Sequence, residues 1–110
     1  MSAVRRFGQV IRVRSAAIPA YEALHARPRA SVNAAIKRAN IRNYSIYRHG
    51  ELLFAYFEYV GTDFAGDMAG MAADPEVVAW WAVTDALQEP YPERPAGDWW
   101  LNLAEIFHTD

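Results

Sequence analysis

The sequence predicts an α+β fold, a four-stranded antiparallel sheet with its helices on one face. Three observations carry this. The chain opens on an alternating run rich in β-branched residues, two aromatic runs flank a His-Gly pair further on, and helix-start signals stand between and after these runs. Each element follows in turn.

From Val4 to Arg14, Phe7, Ile11 and Val13 fall on one side and Arg6, Arg12 and Arg14 on the other, which predicts a first strand. Ser15 to Pro19 starts a helix running to about Arg27, because proline is tolerated in a first turn whose N–H groups have no partner. Ser31 is a suitable cap for a second helical stretch to Ala39, broken from the first at Pro28, with Asn40 taking a left-handed exit. The run "IRNYSIYRHGELLFAYFEYV" reads as a β-hairpin turning at His49-Gly50. A helix interrupted by two glycines covers Thr62 to Met71. Asp74-Pro75-Glu76 then supplies a cap, a proline at the first helical position and a carboxylate near the positive end of the dipole, for a helix that ends before Pro90. The proline-rich stretch "EPYPERPAGD" reads as an ordered surface loop, and "WWLNLAEIFH" as a last strand. Strand, helix, strand, strand, helix, strand is the order of a ferredoxin-like sheet of the dimeric α/β barrel type. Both phases of the third strand are apolar, Leu52, Phe54 and Tyr56 against Leu53, Phe57 and Tyr59, so the second sheet face is expected to meet another copy of the chain.

At 110 residues the chain suits one compact domain, 1–110, and its hydrophobic and charged fractions of 53% and 22% are those of a globular protein. A formal charge of −2 gives no basic footprint for nucleic acid. The absence of cysteine excludes disulfides, a thiolate nucleophile and sulfur-ligated zinc, and fits a cytoplasmic location. Arginines break up the apolar residues of the N-terminus, so neither a signal peptide nor a membrane span is expected.

The groups able to do chemistry are few. Tyr21 and His25 lie one turn apart on one helix face, where an imidazole able to exchange a proton near neutral pH meets a phenol able to bind a hydroxyl. The competing reading packs Tyr21 on the sheet and sets His25 on a carbonyl at the helix end. Trp80 and Trp81 sit about 100° apart on an ideal helix, so one is expected in the core and the other at a cleft. Glu105 shares a strand phase with Leu101, Leu103 and Phe107, and Glu58 shares one with Phe54 and Tyr56. A carboxylate in such a phase needs a partner, so each is a candidate second acid/base, an orienting group or half of an ion pair. Gln9 interrupts an apolar face and suits either a substrate hydroxyl or a sheet edge. His49 and His108 are expected in solvent. No metal-ligand spacing, glycine-rich phosphate loop or nucleophile triad is present, so neither metal nor cofactor is expected.

Four segments in one order, "YEALH", "NYSIY", "ADPEVVAWW" and "LAEIFH", resemble the L-rhamnose mutarotase family over almost the whole chain. The resemblance implies a ferredoxin-like homodimer, an isomerase of carbohydrate metabolism that interconverts the α and β anomers of a deoxy-sugar pyranose without metal or cofactor. It carries a substrate-binding role to Tyr21, an acid/base role to His25 and the walls of a sugar pocket to Trp80 and Trp81. Two departures bear on the substrate. The family's Trp-Pro pair after the histidine is replaced by Arg29-Ala30, and the loop before the last strand is longer and carries Trp99-Trp100. L-Rhamnose, L-fucose or another 6-deoxyhexose fits. Anomerisation moves one proton to the ring oxygen and one from the anomeric hydroxyl, and general acid–base catalysis supplies about 10²–10⁴-fold. The alternatives are a dimeric-barrel monooxygenase or isomerase on the same architecture and a sugar-binding module without turnover.

Overall fold

The computed structural model describes residues 3–110; Met1 and Ser2, which begin the basic N-terminal stretch, lie outside the described residues. Strand β1 (Arg5–Val13) leads through a 3₁₀ turn at Ser15–Ala17 into α1 (Ile18–His25) and α2 (Ala30–Arg38). The hairpin β2 (Ile41–His49) and β3 (Leu52–Tyr59) follows, then α3 (Phe64–Ala72) and α4 (Pro75–Asp85). Two short strands, β4 (Gln88–Glu89) and β5 (Leu101–Leu103), close the sheet.

The sheet is antiparallel in the order β2-β3-β1-β4, with β5 also on β1. That is the predicted ferredoxin-like topology. The register of β1 on β3 sets Phe7 opposite Phe57 and Ile11 opposite Leu53, so the odd residues of both strands share one face. Helices cover that face. Two hydrophobic clusters form there: Ala35, Ala39, Ile41, Phe57, Met71 and Val77 around one end of β3, and Ile11, Val13, Tyr21 and Leu53 around the other. Their separation matters for function, because a cleft lined by members of both opens between them.

The capping chemistry is in part as the sequence implies. Asp74 accepts a hydrogen bond from the Glu76 amide with Pro75 in the first turn, and Asp63 accepts one from the Gly66 amide. Asn40, at a φ of 63°, takes the left-handed exit from α2, and Gly50, at 56°, makes the hairpin turn. The N-cap of α2 is Arg29 with no side-chain cap bond, so Ser31 lies inside the helix rather than before it. Helix α1 ends at His25, short of Arg27.

The end of the chain departs most from the sequence reading. Only Leu101–Leu103 of the "WWLNLAEIFH" run is a strand; the chain beyond has no regular structure, with Ile106 95% and Phe107 78% exposed. Strand β4, read as the tail of a helix, pairs Arg12 with Glu89 and Val13 with Gln88. Thus two short strands share the edge position expected of one, and the sheet has five strands. The cause is local. Pro90, Pro92 and Pro95 have no N–H to give to β1, so the chain leaves the edge at Glu89 and rejoins it at Leu101. On the way Arg12 reaches over it, with its guanidinium above the Tyr91 ring and 3.2 Å from Glu89.

Candidate active site

The cleft has a volume of about 1060 Å³ and lies between α1, α2, α4 and the β2 side of the sheet. Tyr21, His25, Trp80 and Trp81 all line it. The two tryptophans leave α4 at different angles, and both still reach the cleft because it is wide. Of the two tryptophans Trp80 contacts the imidazole, edge-on at 5.3 Å between ring centroids, and the Tyr21 ring lies against the same imidazole at 4.4 Å.

His25 is the last residue of α1, and its ring folds back toward the preceding turn. Its Nδ1 lies 2.8 Å from the main-chain oxygen of Tyr21. A carbonyl oxygen only accepts, so Nδ1 carries the proton of the neutral ring and Nε2 carries a lone pair. Among the described residues Nε2 has no partner. The position thus combines both sequence readings: one nitrogen binds a helix-end carbonyl, and that bond fixes the tautomer that leaves the other free as a base.

Tyr21 is 4% exposed. Its hydroxyl sits at the end of a chain of donors that has only one consistent direction. The Trp99 indole N–H, which only donates, lies 2.7 Å from Gln88 Oε1, so the amide turns its Nε2 toward Tyr21, 3.0 Å away. Tyr21 Oη therefore accepts from Gln88, and its own proton is left for another acceptor. Burial, only partly offset by the Gln88 hydrogen bond, pushes the phenol up to about 12.

A second phenol lines the cleft. Between Arg42 and Ser45 the β2–β3 register shifts, with Asn43 at a φ of 52°, and this bulge sets Tyr44 against Phe57 on the helix-covered face. Desolvation pushes Tyr44 up to about 12 even though 39% of the residue's surface is exposed. Alternation alone hides such a re-aimed residue; the signal for it is Asn43, a type that tolerates left-handed backbone inside a strand. Gln88 had no signal in the sequence. Its role depends on β4, Tyr21 and Trp99 meeting.

The structure does not bring Glu58 and Glu105 to the cleft. Glu58 accepts from the Tyr56 hydroxyl at 2.7 Å and from Asn43 at 2.8 Å, and Glu105, beyond the end of β5, pairs with Arg6 at 3.1 Å. Arg6 and Glu58 are neighbours in register on the face opposite the helices, with no ion pair between them. These bonds hold Glu58, through Tyr56 first, and Glu105, through Arg6, below the usual carboxylate range. Gln9 donates to Asn102 at 2.9 Å across the β1–β5 pair and does not line the cleft. His49 is exposed next to the hairpin turn, and His108 bonds Asp110 at 2.8 Å. Among the described residues no cluster of three or more His, Cys, Asp or Glu could hold a metal, and no helix is long and apolar enough to cross a membrane.

The sequence matches the L-rhamnose mutarotase family over residues 6–109. The chain belongs to that family. Membership makes it an isomerase acting on carbohydrates, a mutarotase. Its fold is also that of the crystal structure of L-rhamnose mutarotase from Formosa agariphila, with a TM-score of 0.73 at 20% identity over 96% of this chain and 99% of that one. No curated protein matches this family member.

Proposed function

We propose that the cleft is the site at which the chain interconverts the α and β anomers of L-rhamnose or a related 6-deoxyhexose, with His25 as the proton carrier. One observation supports this above the others: the Nδ1 bond to the Tyr21 carbonyl leaves a free Nε2 on a cleft-lining imidazole. Nε2 takes the proton of the anomeric hydroxyl as the C1–O5 bond breaks. Tyr44 gives its proton to O5 as that oxygen gains alkoxide character. The aldehyde turns about C1–C2, and on closure from its other face O5 gives its proton back to Tyr44 while Nε2 gives its proton to the carbonyl oxygen, which becomes the new anomeric hydroxyl. Tyr44 suits this part better than Tyr21, since its hydroxyl has no partner among the described residues while that of Tyr21 already accepts from Gln88. Tyr21 instead donates to a sugar hydroxyl. Trp80 and Trp81 offer apolar faces to the C–H side of the ring.

The working unit in this reading is a homodimer closed through the open sheet face. Tyr47 and Phe54, opposite each other in register, are exposed there, as is Leu103. The cysteine-free composition suits a reducing compartment, and a cytoplasmic location belongs to the same proposal. The test is NMR saturation transfer between the two anomeric protons of L-rhamnose, and then of L-fucose. Exchange no faster with protein than in buffer rejects the assignment.

A further inference from the structure

We infer that Glu58, on the sheet face away from the cleft, is a positioning residue for Tyr44, acting through Asn43 across the bulge in β2; this rests on the mutarotase assignment above. Arg42 pairs with Glu58 and Ser45 with Tyr56, so Asn43 and Tyr44 together stand opposite the single residue Phe57. Without the extra residue, pairing counted on from Arg42 would set Asn43 opposite Phe57 and Tyr44 opposite Tyr56. Tyr56 belongs to the β3 phase that faces away from the helices, so a regular strand would carry the Tyr44 hydroxyl out of the cleft. The bulge is therefore what delivers this phenol to the cleft that His25 lines. It stands on a left-handed Asn43, at a φ of 52°, a conformation that any residue but glycine adopts at a cost. Something must hold it.

Glu58 does. Its Oε1 accepts from Asn43 Nδ2, inside the bulge, at 2.8 Å, and its Oε2 accepts at 2.7 Å from the hydroxyl of Tyr56, the partner of the first residue past the bulge. Hydrogen bonds to an ionised carboxylate are about twice as strong as neutral ones. Arg6, the neighbour of Glu58 in register, is taken by Glu105 at 3.1 Å, so the hydrogen bonds of this carboxylate go to the bulge rather than to an ion pair. On the helix-covered face the Tyr44 ring stacks on Phe57 at 5.5 Å between centroids, Phe57 on Phe7 at 4.7 Å and Phe7 on Phe64 at 5.0 Å. The clamp thus fixes where Tyr44 leaves the backbone, and the stack fixes the plane of its ring. Asn43 and Tyr44 are adjacent, so one peptide carries the constraint from one face of the sheet to the other. Glu58 does not line the cleft and acts on proton transfer only through Tyr44.

Saturation transfer with L-rhamnose on Glu58→Ala, Asn43→Gly and Glu58→Gln, each also made in a Tyr44→Phe background, tests this. Glu58→Ala removes the acceptor, and Asn43→Gly removes the donor while keeping a residue suited to positive φ. Each is expected to lower kcat about tenfold, no further than Tyr44→Phe itself, with KM little changed because Tyr44 acts in the transition state. In Glu58→Gln the amide oxygen still accepts from Asn43, and kcat recovers in part. In the Tyr44→Phe background the same changes lower kcat less than about twofold, since the group they aim is gone. A second readout needs no sugar. In NMR of ring-labelled tyrosine, the Tyr44 signals, assigned by their loss in Tyr44→Phe, move toward those of an unstacked tyrosine in Glu58→Ala and Asn43→Gly. Signals that stay in place, or equal losses of kcat in the two backgrounds, overturn the inference and leave the mutarotase assignment standing. Wild-type exchange no faster than in buffer removes both.

Discussion

Replacing Gln88 with methionine keeps the length of the side chain and removes both of its hydrogen bonds, at a residue that is only 2% exposed. Two groups lose their partner, the acceptor oxygen of buried Tyr21 and the indole N–H of half-buried Trp99. Leaving a buried polar group unpaired costs about 1–3 kcal/mol, and the Trp99 contribution is smaller because water reaches part of it. The sum is about 2–4 kcal/mol, which lowers Tm by roughly 10 °C or more in a chain of this size. Urea titration and thermal unfolding followed by circular dichroism measure it. Tyr21→Phe in the Gln88→Met background completes a double-mutant cycle, and the expected coupling between the two sites is about 1 kcal/mol. Saturation transfer on the folded Gln88→Met protein adds a functional readout, with slower catalysed exchange because nothing then sets the direction of the Tyr21 hydroxyl. A loss of stability under about 0.5 kcal/mol, or strict additivity in the cycle, refutes the directed chain from Trp99 through Gln88 to Tyr21.

Three further outcomes are expected. His25→Ala lowers catalysed anomer exchange by about 10²–10⁴-fold in saturation transfer with its circular dichroism unchanged, and Tyr44→Phe lowers it by a smaller factor that adds no new pH dependence near neutrality. Tyr21 loses its proton near 10 when unfolded and at about 12 when folded, so the native state binds more protons between those values and stability falls as pH rises through them; the full contribution is present below 10. Tyr21→Phe therefore removes up to about 1.4 kcal/mol per pH unit from the alkaline slope of unfolding free energy, measured by urea titration. Size-exclusion chromatography with light scattering gives a dimer at micromolar concentration, and Phe54→Asp on the open sheet face shifts it toward monomer without abolishing the fold.

Much of the architecture was written in local pattern. Alternation set the facing of β1, the Gly50 turn and the Asp74-Pro75 start were legible as residue types with one natural place, and Tyr21 and His25 shared a face through helical spacing alone. The last strand was not legible in this way. "WWLNLAEIFH" has apolar residues in strand phase, yet strand state depends on the free length of the β1 edge, and β4 had already taken its Arg12–Val13 end. Glu58 and Glu105 show the same limit, since strand phase says that a carboxylate needs a partner but not which face of the finished sheet supplies it.

By itself, then, the sequence determined the elements from β1 to α4, their order and the pair of side chains most apt to move protons, because those follow from short-range periodicity, caps and turn residues. Only the tertiary structure decided which nitrogen of His25 is free, which way the Tyr21 hydroxyl donates, and that Tyr44 joins them through a bulge. Each of these is a relation between atoms far apart in the chain, fixed by packing and by the one-way chemistry of donors and acceptors.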